Sequence, residues 1–202
     1  SGGREGFTVG IQSDGTLWAW GANTYGQLGT GNTTKYSSPK QVGALTNWLS
    51  VSTTYFSTLS IKTNGTLWAW GRNQWGELGL NNTTYYSSPK QVGALTTWSQ
   101  ISGGWYFALA LKTDGTMWSW GKNDFGQLGI NISTGAYSSP RQIGLLTTWS
   151  KISANQNFAY ALKTNGSLWS WGLNNGGQLG QNNTYNYSSP KQRSEEHTSE
   201  LQ

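Results

Sequence analysis

A four-fold internal repeat constrains the fold of this chain more than any other feature of its sequence. The string Leu/Met-Trp-Ala/Ser-Trp-Gly occurs four times, at spacings of 50, 50 and 51 residues. A period of about 50 residues is typical of a propeller blade or a solenoid turn. The copies begin at Leu17, Leu67, Met117 and Leu168; Tyr-Ser-Ser-Pro begins at Tyr36, Tyr86, Tyr137 and Tyr187; and Gly-Gln/Glu-Leu-Gly begins at Gly26, Gly76, Gly126 and Gly177.

The repeated unit is predicted to be built from strands. Residues 108–112 read as an apolar strand that leads through Asp114-Gly115 into a second strand at 117–120. Asp-Gly and Asn-Gly are typical of a type I′ hairpin turn, and each unit has one of the two pairs at this place. We expect a third strand at 98–102 and a shorter fourth strand that starts at Pro89 and ends at Val92. No stretch of ten residues shows a helical period.

Both faces of the predicted sheets are apolar. In the first unit Trp18 and Trp20 lie on one face of a strand, and Leu17 and Ala19 lie on the other. A small sheet that is apolar on both faces must be packed between neighbouring sheets, as in a β-propeller. We therefore predict an all-β chain of four propeller-type blades, with repeats at about 1–48, 49–98, 99–149 and 150–192.

The string Trp-x-Trp-Gly-x-Asn-x-x-Gly-Gln-Leu-Gly resembles the regulator of chromosome condensation repeat family. The resemblance covers about residues 1–192 and implies a β-propeller, typically of seven blades. The sequences of the four units are so alike that the chain resembles bacterial or bacterial-virus members of the family. Members of the family serve in nucleotide exchange on small GTPases, chromatin docking, enzyme inhibition and scaffolding, so the resemblance leaves the function open. The pattern is met at Trp20-Gly21, Asn23 and 26–29; at Trp70-Gly71, Asn73 and 76–79; at Trp120-Gly121, Asn123 and 126–129; and at Trp171-Gly172, Asn174 and 177–180.

We expect the sequence to be a fragment of a longer protein from environmental sequencing, truncated at both ends. Four units are expected to form an open or incomplete propeller, and the uncovered faces of its terminal blades would favour self-association. The last ten residues, 193–202, break the fourth unit where Val-Gly is expected. They read as the in-frame translation of a sequencing adapter, and we expect this tail to be artefactual or disordered.

Composition argues against most enzyme chemistry. The chain has no Cys, and its one His, His197, lies in the tail, so thiolate, disulfide and histidine-based sites are excluded or nearly so. Asp14 and Asp114 are replaced by Asn in the other two units, which indicates a turn role rather than catalysis. We predict no enzyme activity, no cofactor and no metal. The net charge is +5, but the cations are scattered singly, so nucleic-acid binding is not expected. No apolar run is long enough for membrane insertion.

The candidate binding residues are those that vary between units while their neighbours repeat. Variable loop tips on a constant scaffold are typical of partner-binding propellers, and several of these residues are of types enriched at interface hot spots. An equal alternative is that the aromatic side chains only cover the blade edge. The candidates are Tyr25, Arg72, Gln74, Trp75, Lys122, Asp124 and Phe125, with Trp105 and Tyr106 from a second aromatic set that also holds Tyr85 and Tyr86.

Three functions remain open at this stage. The first is a binding or scaffold module for a protein partner. The second is a secreted, cell-surface or virion adhesin that binds carbohydrate, which would place the chain outside the cell. The third, implied by the family alone, is guanine nucleotide exchange on a small GTPase. One cation per unit, at Lys40, Lys90, Arg141 and Lys191, could meet an anionic surface, although lysines on edge strands also oppose aggregation.

Overall fold

The computed structural model describes residues 1–3 and 6–193, and in this part of the chain sixteen strands form four antiparallel four-stranded sheets. Each sheet takes four consecutive strands in chain order, so each repeat forms one blade and the all-β prediction is confirmed. Blade 1 contains β1 (Gly2–Gly3), β2 (Phe7–Ile11), β3 (Leu17–Gly21) and β4 (Tyr36–Gln41); blade 2 contains β5 (Trp48–Thr53), β6 (Ser57–Lys62), β7 (Leu67–Gly71) and β8 (Tyr86–Gln91); blade 3 contains β9 (Trp98–Gly103), β10 (Phe107–Lys112), β11 (Met117–Lys122) and β12 (Ala136–Gln142); and blade 4 contains β13 (Trp149–Ala154), β14 (Phe158–Lys163), β15 (Leu168–Gly172) and β16 (Tyr187–Gln192).

The hairpin turns lie where they were predicted, but their type differs. In the β10–β11 turn Gly115 takes a positive φ of 77° and its N–H donates to Lys112 O. Asp114 does not have a positive φ, so the turn is a type I turn followed by a left-handed glycine rather than type I′. Asp114 instead uses Oδ1 to accept bonds from the N–H and hydroxyl of Thr116, which explains why Asp or Asn stands at this place.

The fourth strand starts earlier than predicted. In blade 2 it runs from Tyr86, and Pro89 lies inside it rather than at its beginning. The register slips here, because Ala69 pairs with Lys90 while Gly71 pairs with Tyr86. Pro89 therefore lies in a bulge of the outer strand, where its missing N–H removes no ladder bond.

Tryptophan side chains join each blade to the one before it. The indole N–H of Trp70 donates to Gln27 O over 3.0 Å, and Trp120 and Trp171 make the same bond to Glu77 O and Gln127 O. The ring needs the glycine that ends the receiving loop. A Cβ on Gly29 would lie 2.6 Å from Nε1 of Trp70. The repeated segment Gly-Gln/Glu-Leu-Gly therefore packs against the next blade and also forms a tight turn.

The inner strands of neighbouring blades are also bonded to one another. Ser52 Oγ accepts from the N–H of Gly103 over 3.0 Å, and Ser102 Oγ accepts from the N–H of Ala154 over 2.8 Å. The first strand of each blade is therefore the one nearest its neighbours, and the fourth strand lies on the outer edge. Three apolar clusters fill the junctions between blades.

The four blades form an open array, as predicted. Trp20 in blade 1 is half-buried, whereas its equivalents Trp70, Trp120 and Trp171 are fully buried by a preceding blade. The opposite face of blade 4 carries an open hollow of about 710 Å³, lined by residues such as Ile152, Leu162 and Leu179. No sheet formed by the described strands closes the array into a ring.

Of the predicted tail, only Arg193 belongs to the described residues. Its N–H donates to Leu168 O over 2.8 Å, which is the bond that Val42, Val92 and Ile143 make in the other blades. Those three side chains are buried, whereas that of Arg193 is exposed. Residues 194–202, and with them His197, lie outside the described part. Among the described residues there is no helix with the length and apolarity to cross a membrane.

Candidate binding surface

The antiparallel order of the strands gives every blade two distinct ends. The loop between the first and second strands and the loop after the third strand lie at one end, which we call the loop-tip end. The hairpin turn between the second and third strands lies at the other, which we call the turn end, together with the linker to the next blade. The sequence-predicted candidates lie at or after the end of the third strand, or before the second, so the topology collects them at the loop-tip end.

Arg72 lies at the centre of this surface, among aromatic rings from three blades. Its guanidinium carbon is 5.0 Å from the ring centroid of Tyr106, 5.2 Å from that of Phe56 and 5.9 Å from that of Tyr25. These distances are within the range of cation–π attraction. One guanidinium nitrogen, Nη2, donates to Oε1 of Gln74. The planar cation is therefore fixed by its neighbours.

Lys122 takes the equivalent place one blade further on. Its Nζ is 4.8 Å from the ring centroid of Trp75 and 5.9 Å from that of Tyr106. It also pairs with Asp124 Oδ2 at 2.9 Å. Tyr106 thus lies between the two cations and connects the environments of Arg72 and Lys122.

Aromatic contacts extend the surface across the loop-tip end. Tyr25 meets Phe56 edge to face at 4.8 Å and Tyr85 at 5.8 Å, and Tyr55 meets Trp105 at 5.6 Å. The loops that carry Tyr55 and Trp105 are joined by a bond from the N–H of Tyr55 to Trp105 O over 3.0 Å. We call the whole set the loop-tip cluster; it comprises Tyr25, Tyr55, Phe56, Arg72, Gln74, Trp75, Tyr85, Trp105, Tyr106, Lys122 and Asp124.

Buried amides hold the loops that carry the cluster. Asn73 Oδ1 accepts from the N–H of Leu78 over 3.0 Å, and its Nδ2 donates to Asn82 O and Thr84 O. Asn23, Asn123 and Asn174 bond their own loops in the same manner. The tips therefore project from a fixed base in every blade.

Glu77 is a buried carboxyl directly beneath the cluster. It is 1% exposed, and its Oε2 accepts from the N–H of Trp75 over 2.7 Å. Burial raises the pKa of Glu77, although the backbone bonds and the positive charge of Arg72 oppose this shift. The other three blades have Gln at this place. Glu77 was not among the predicted candidates, and its one signal in the sequence is that single departure from Gln.

The structure brings together all of the predicted candidates except Phe125. Phe125 occupies the place of Trp75 at the junction of blades 3 and 4, where Asn157 stands in the position of Tyr106. Tyr86 also separates from the second aromatic set, because it packs half-buried against the blade cores. Conversely, sequence reasoning missed Tyr55 and Phe56. The sequence feature that could have identified them is their position, 50 residues before Trp105 and Tyr106 in the preceding repeat.

The exposed carboxylates at the turn end have a structural role in the hairpins. Asp14 and Asp114 each accept two bonds from the threonine two residues later, and these bonds lower the pKa of both carboxyls. Each threonine hydroxyl in turn accepts from a tryptophan, Trp18 in blade 1 over 2.8 Å. Among the described residues no group of three or more His, Asp or Glu side chains is placed to hold a metal ion.

Solved structures share this architecture at low sequence identity. Human WBSCR16 is 22% identical with a TM-score of 0.84, over 94% of this chain and 51% of its own. Prp20p from Saccharomyces cerevisiae is 19% identical with a TM-score of 0.85, over 96% of this chain and 49% of its own. Yeast RCC1 (Prp20) bound to Kap60 is 20% identical with a TM-score of 0.84, over 96% of this chain and 48% of its own. The chain therefore spans about half the length of these propellers. Curated protein sequences contain no significant match.

Family models cover almost the whole chain. The regulator of chromosome condensation (RCC1) repeat matches residues 14–61, 64–111, 114–162 and 165–197, and a second model of the same repeat matches 98–127 and 149–178. Each match of the first model begins at the Asp or Asn of a hairpin turn. The chain belongs to the regulator of chromosome condensation repeat family.

Proposed function

We propose that this chain is a non-enzymatic module that binds a protein partner through the loop-tip cluster. The observation that carries the proposal is the position of Arg72 among Tyr25, Phe56 and Tyr106, beside Lys122 on Trp75. Arg, Tyr and Trp are the residue types that most often dominate protein interfaces. Here they come from three adjacent blades and form one continuous surface.

The contacts within the cluster support this assignment. Arg72 is held by rings and by Gln74, and Lys122 is held by Asp124 and Trp75. Long cationic side chains normally lose conformational freedom when a partner binds, at about 0.5–1.5 kcal/mol for each side chain. Side chains that are already ordered avoid much of this cost, so the same contacts give a higher affinity.

Carbohydrate binding, the alternative from the sequence, has weaker support from the geometry. A sugar ring stacks on the open face of an aromatic side chain. In the cluster, cations lie over the faces of Trp75 and Tyr106, and several rings meet edge to face. Binding of a sugar there would have to displace Arg72 or Lys122.

Nucleotide exchange rests on the family relationship alone. Prp20 has been solved bound to Kap60, and its binding to Gsp1p and histones has been described. These are proteins, which agrees with a protein partner for this chain, but the sequences share about a fifth of their residues and this chain spans half the length. An assay of nucleotide release from a small GTPase distinguishes exchange from binding alone.

Panning a random-peptide display library against the full chain tests the proposal. Selected peptides should lose binding at least about tenfold to the variants Arg72→Gln and Trp75→Ser, because a hot-spot truncation commonly costs more than about 1.4 kcal/mol. Tyr185→Ser removes an exposed aromatic side chain outside the cluster and serves as the matched control. Peptides that bind the cluster variants and the wild type equally well would contradict the proposal.

A further inference from the structure

The turn end of the propeller exposes a set of leucines at equivalent places in successive blades. The linker after each outer strand reads Gly-Ala/Leu-Leu-Thr, and Leu45, Leu95 and Leu146 are 47%, 47% and 46% exposed. Leu145 stands where the other two linkers have Ala and is 91% exposed. Leu49, at the start of the next strand in the first linker region, is 59% exposed.

The backbone keeps these leucines at the surface. Each linker opens with a glycine in the left-handed region, at Gly43 (φ 64°), Gly93 (φ 61°) and Gly144 (φ 61°). The far side of the linker is bonded to the adjacent hairpin, for example from the N–H of Thr63 to Asn47 O over 2.9 Å. The leucines therefore cannot fold back into the blade core without breaking this repeated geometry.

A cation accompanies each linker leucine at a constant distance in sequence. Lys40, Lys90 and Arg141 are exposed, and each stands five residues before the corresponding leucine. Each lies over a tyrosine of its own outer strand, as Lys40 does over Tyr36 at 5.4 Å. Lys62, Lys112 and Lys163 lie at the turn end and pack on paired tryptophans such as Trp48 and Trp68. Lys62 is buried and the other two are half-buried, so the outer-strand cations are the more accessible ones.

The turn end and the outer strands beside it carry more cations than carboxylates. The carboxylates that the described residues place there are Asp14 and Asp114, whose Oδ1 atoms are already engaged by threonines. A positive end with dispersed, protruding leucines combines two features of peripheral membrane proteins, namely electrostatic attraction to anionic lipid and shallow insertion of apolar side chains.

We propose that the turn end is a peripheral docking surface for an anionic lipid bilayer. The leucines occur once or twice per blade and are carried on separate linkers, so they form no single packed patch. The buried centre of a protein interface is typically contiguous, apolar and packed as densely as a protein interior. A bilayer accepts separate side chains at the boundary between headgroups and acyl chains. The outer-strand cations act through the field of the anionic surface, which extends about 10 Å at 0.1 M salt and requires no direct contact.

Docking by the turn end leaves the loop-tip cluster facing away from the membrane. The proposal therefore goes beyond the protein-binding function and uses other residues. Either proposal can fail without the other, because the variants that test them lie at opposite ends of the blades.

Co-sedimentation of the full chain with sucrose-loaded vesicles tests the proposal. One set of vesicles contains phosphatidylcholine with about one third phosphatidylserine, and the other contains phosphatidylcholine alone. We expect binding to the anionic set that weakens as salt is raised. Replacing Leu45, Leu95, Leu145 and Leu146 with Ser should lower the partition coefficient at least about a hundredfold, because each inserted side chain contributes several buried CH₂ or CH₃ groups.

Two sets of controls make the test specific. Ile132→Ser and Tyr185→Ser remove side chains that are 44% and 74% exposed at the loop-tip end, and they should leave vesicle binding unchanged. Replacing Lys40, Lys90 and Arg141 with Gln should weaken binding and flatten its salt dependence. Circular dichroism and thermal melting of every variant show that the fold is intact.

Three results would overturn the proposal. The first is no co-sedimentation of the wild-type chain with anionic vesicles. The second is equal vesicle binding by the wild type and the folded leucine variant. The third is wild-type self-association, seen by sedimentation velocity without lipid, that the leucine variant abolishes, because the leucines would then cover a second copy of the chain.

Discussion

The indole N–H of Trp120 donates to the main-chain oxygen of Glu77 over 2.9 Å, although 43 residues separate the two. The bond crosses from blade 3 to blade 2, and the ring is fully buried. Because Trp70 and Trp171 repeat this contact, the stability of the array depends on the junctions between blades as much as on the sheets.

Trp120→Phe should destabilise the chain by about 2–3 kcal/mol. The change removes the bond to Glu77 O and leaves a void where part of the indole ring was packed. Trp118→Phe is the control, because Trp118 is half-buried and bonds only within its own blade, to Thr116 Oγ1. We expect about 1 kcal/mol for that change. Urea denaturation followed by fluorescence measures both. Equal losses of unfolding free energy in the two variants would show that the bond between blades contributes no more than the bond within a blade.

Gly79→Ala should cost about 3 kcal/mol or more. Gly79 has a φ of 73°, and a Cβ there would lie 2.9 Å from Nε1 of Trp120. The matched change is Gly93→Ala, at φ 61° with nothing within 4 Å of the added atom. That variant isolates the backbone strain, about 1 kcal/mol. Thermal melting of the two variants separates strain from the loss of blade packing, and a smaller effect at Gly79 than at Gly93 would refute the packing argument.

Glu77→Gln should stabilise the chain at neutral pH. Burial raises the pKa of Glu77 above its ordinary value of 4.5, so the folded chain holds this proton more tightly than the unfolded chain. The free energy of unfolding therefore falls as pH rises from 4.5 through the folded-state pKa, and it stays lower above that pKa. Gln removes this loss, so the stabilisation should be present at pH 7 and small near pH 4.

The reverse exchange, Gln127→Glu in blade 3, provides the control for Glu77. Gln127 Oε1 accepts from the N–H of Phe125 over 2.8 Å, which is the bond that Glu77 Oε2 makes to Trp75. The variant should be destabilised at pH 7 and should recover in acid. Stability curves for both variants that run parallel to the wild type across pH 4–8 would show that the carboxyl is not desolvated in solution.

Asp114→Asn should leave stability at neutral pH nearly unchanged, because Asn64 accepts the same two bonds from Thr66 in blade 2. Bonds from Thr116 lower the pKa of Asp114 below 3.8 in the folded chain. Its contribution is therefore present above 3.8 and is lost as pH falls through the folded-state pKa. The Asn variant should lose less stability than the wild type between pH 4 and pH 2. Asp114→Ala, which has no acceptor, should melt lower at every pH.

Much of the fold could be predicted because each signal occurs four times. The hairpins follow from Asp-Gly or Asn-Gly between apolar runs, and the packing of sheets between neighbours follows from strands such as 17–20 that are apolar on both faces. The turn type was wrong because Asp114 uses its side chain, and not a positive φ, to stabilise the turn. The start of β8 was missed because a bulge lets a strand continue through Pro89.

The candidate site was predictable only in part. Residues that vary between units, such as Arg72 and Trp75, identified one side of the loop-tip cluster. Tyr55 and Phe56 come from a different loop of the same blade, and the contact of Phe56 with Arg72 depends on how side chains pack across the end of that blade, which a one-dimensional pattern does not contain. The exposure of Leu45 and Leu95 was hidden for the same reason, since leucine at a repeated position is equally typical of a core.

The contact between each tryptophan and the preceding Gly-Gln/Glu-Leu-Gly loop also bears on how such genes change. Every repeat encodes both the tryptophan and the loop that receives the next tryptophan. A recombination event that duplicates or deletes one 50-residue segment in register therefore forms the same contact at the new junction between blades. Copy number can therefore vary by unequal crossing-over without any new complementary pair having to evolve. Residues such as 72 and 75 stay outside that constraint and are free to diverge.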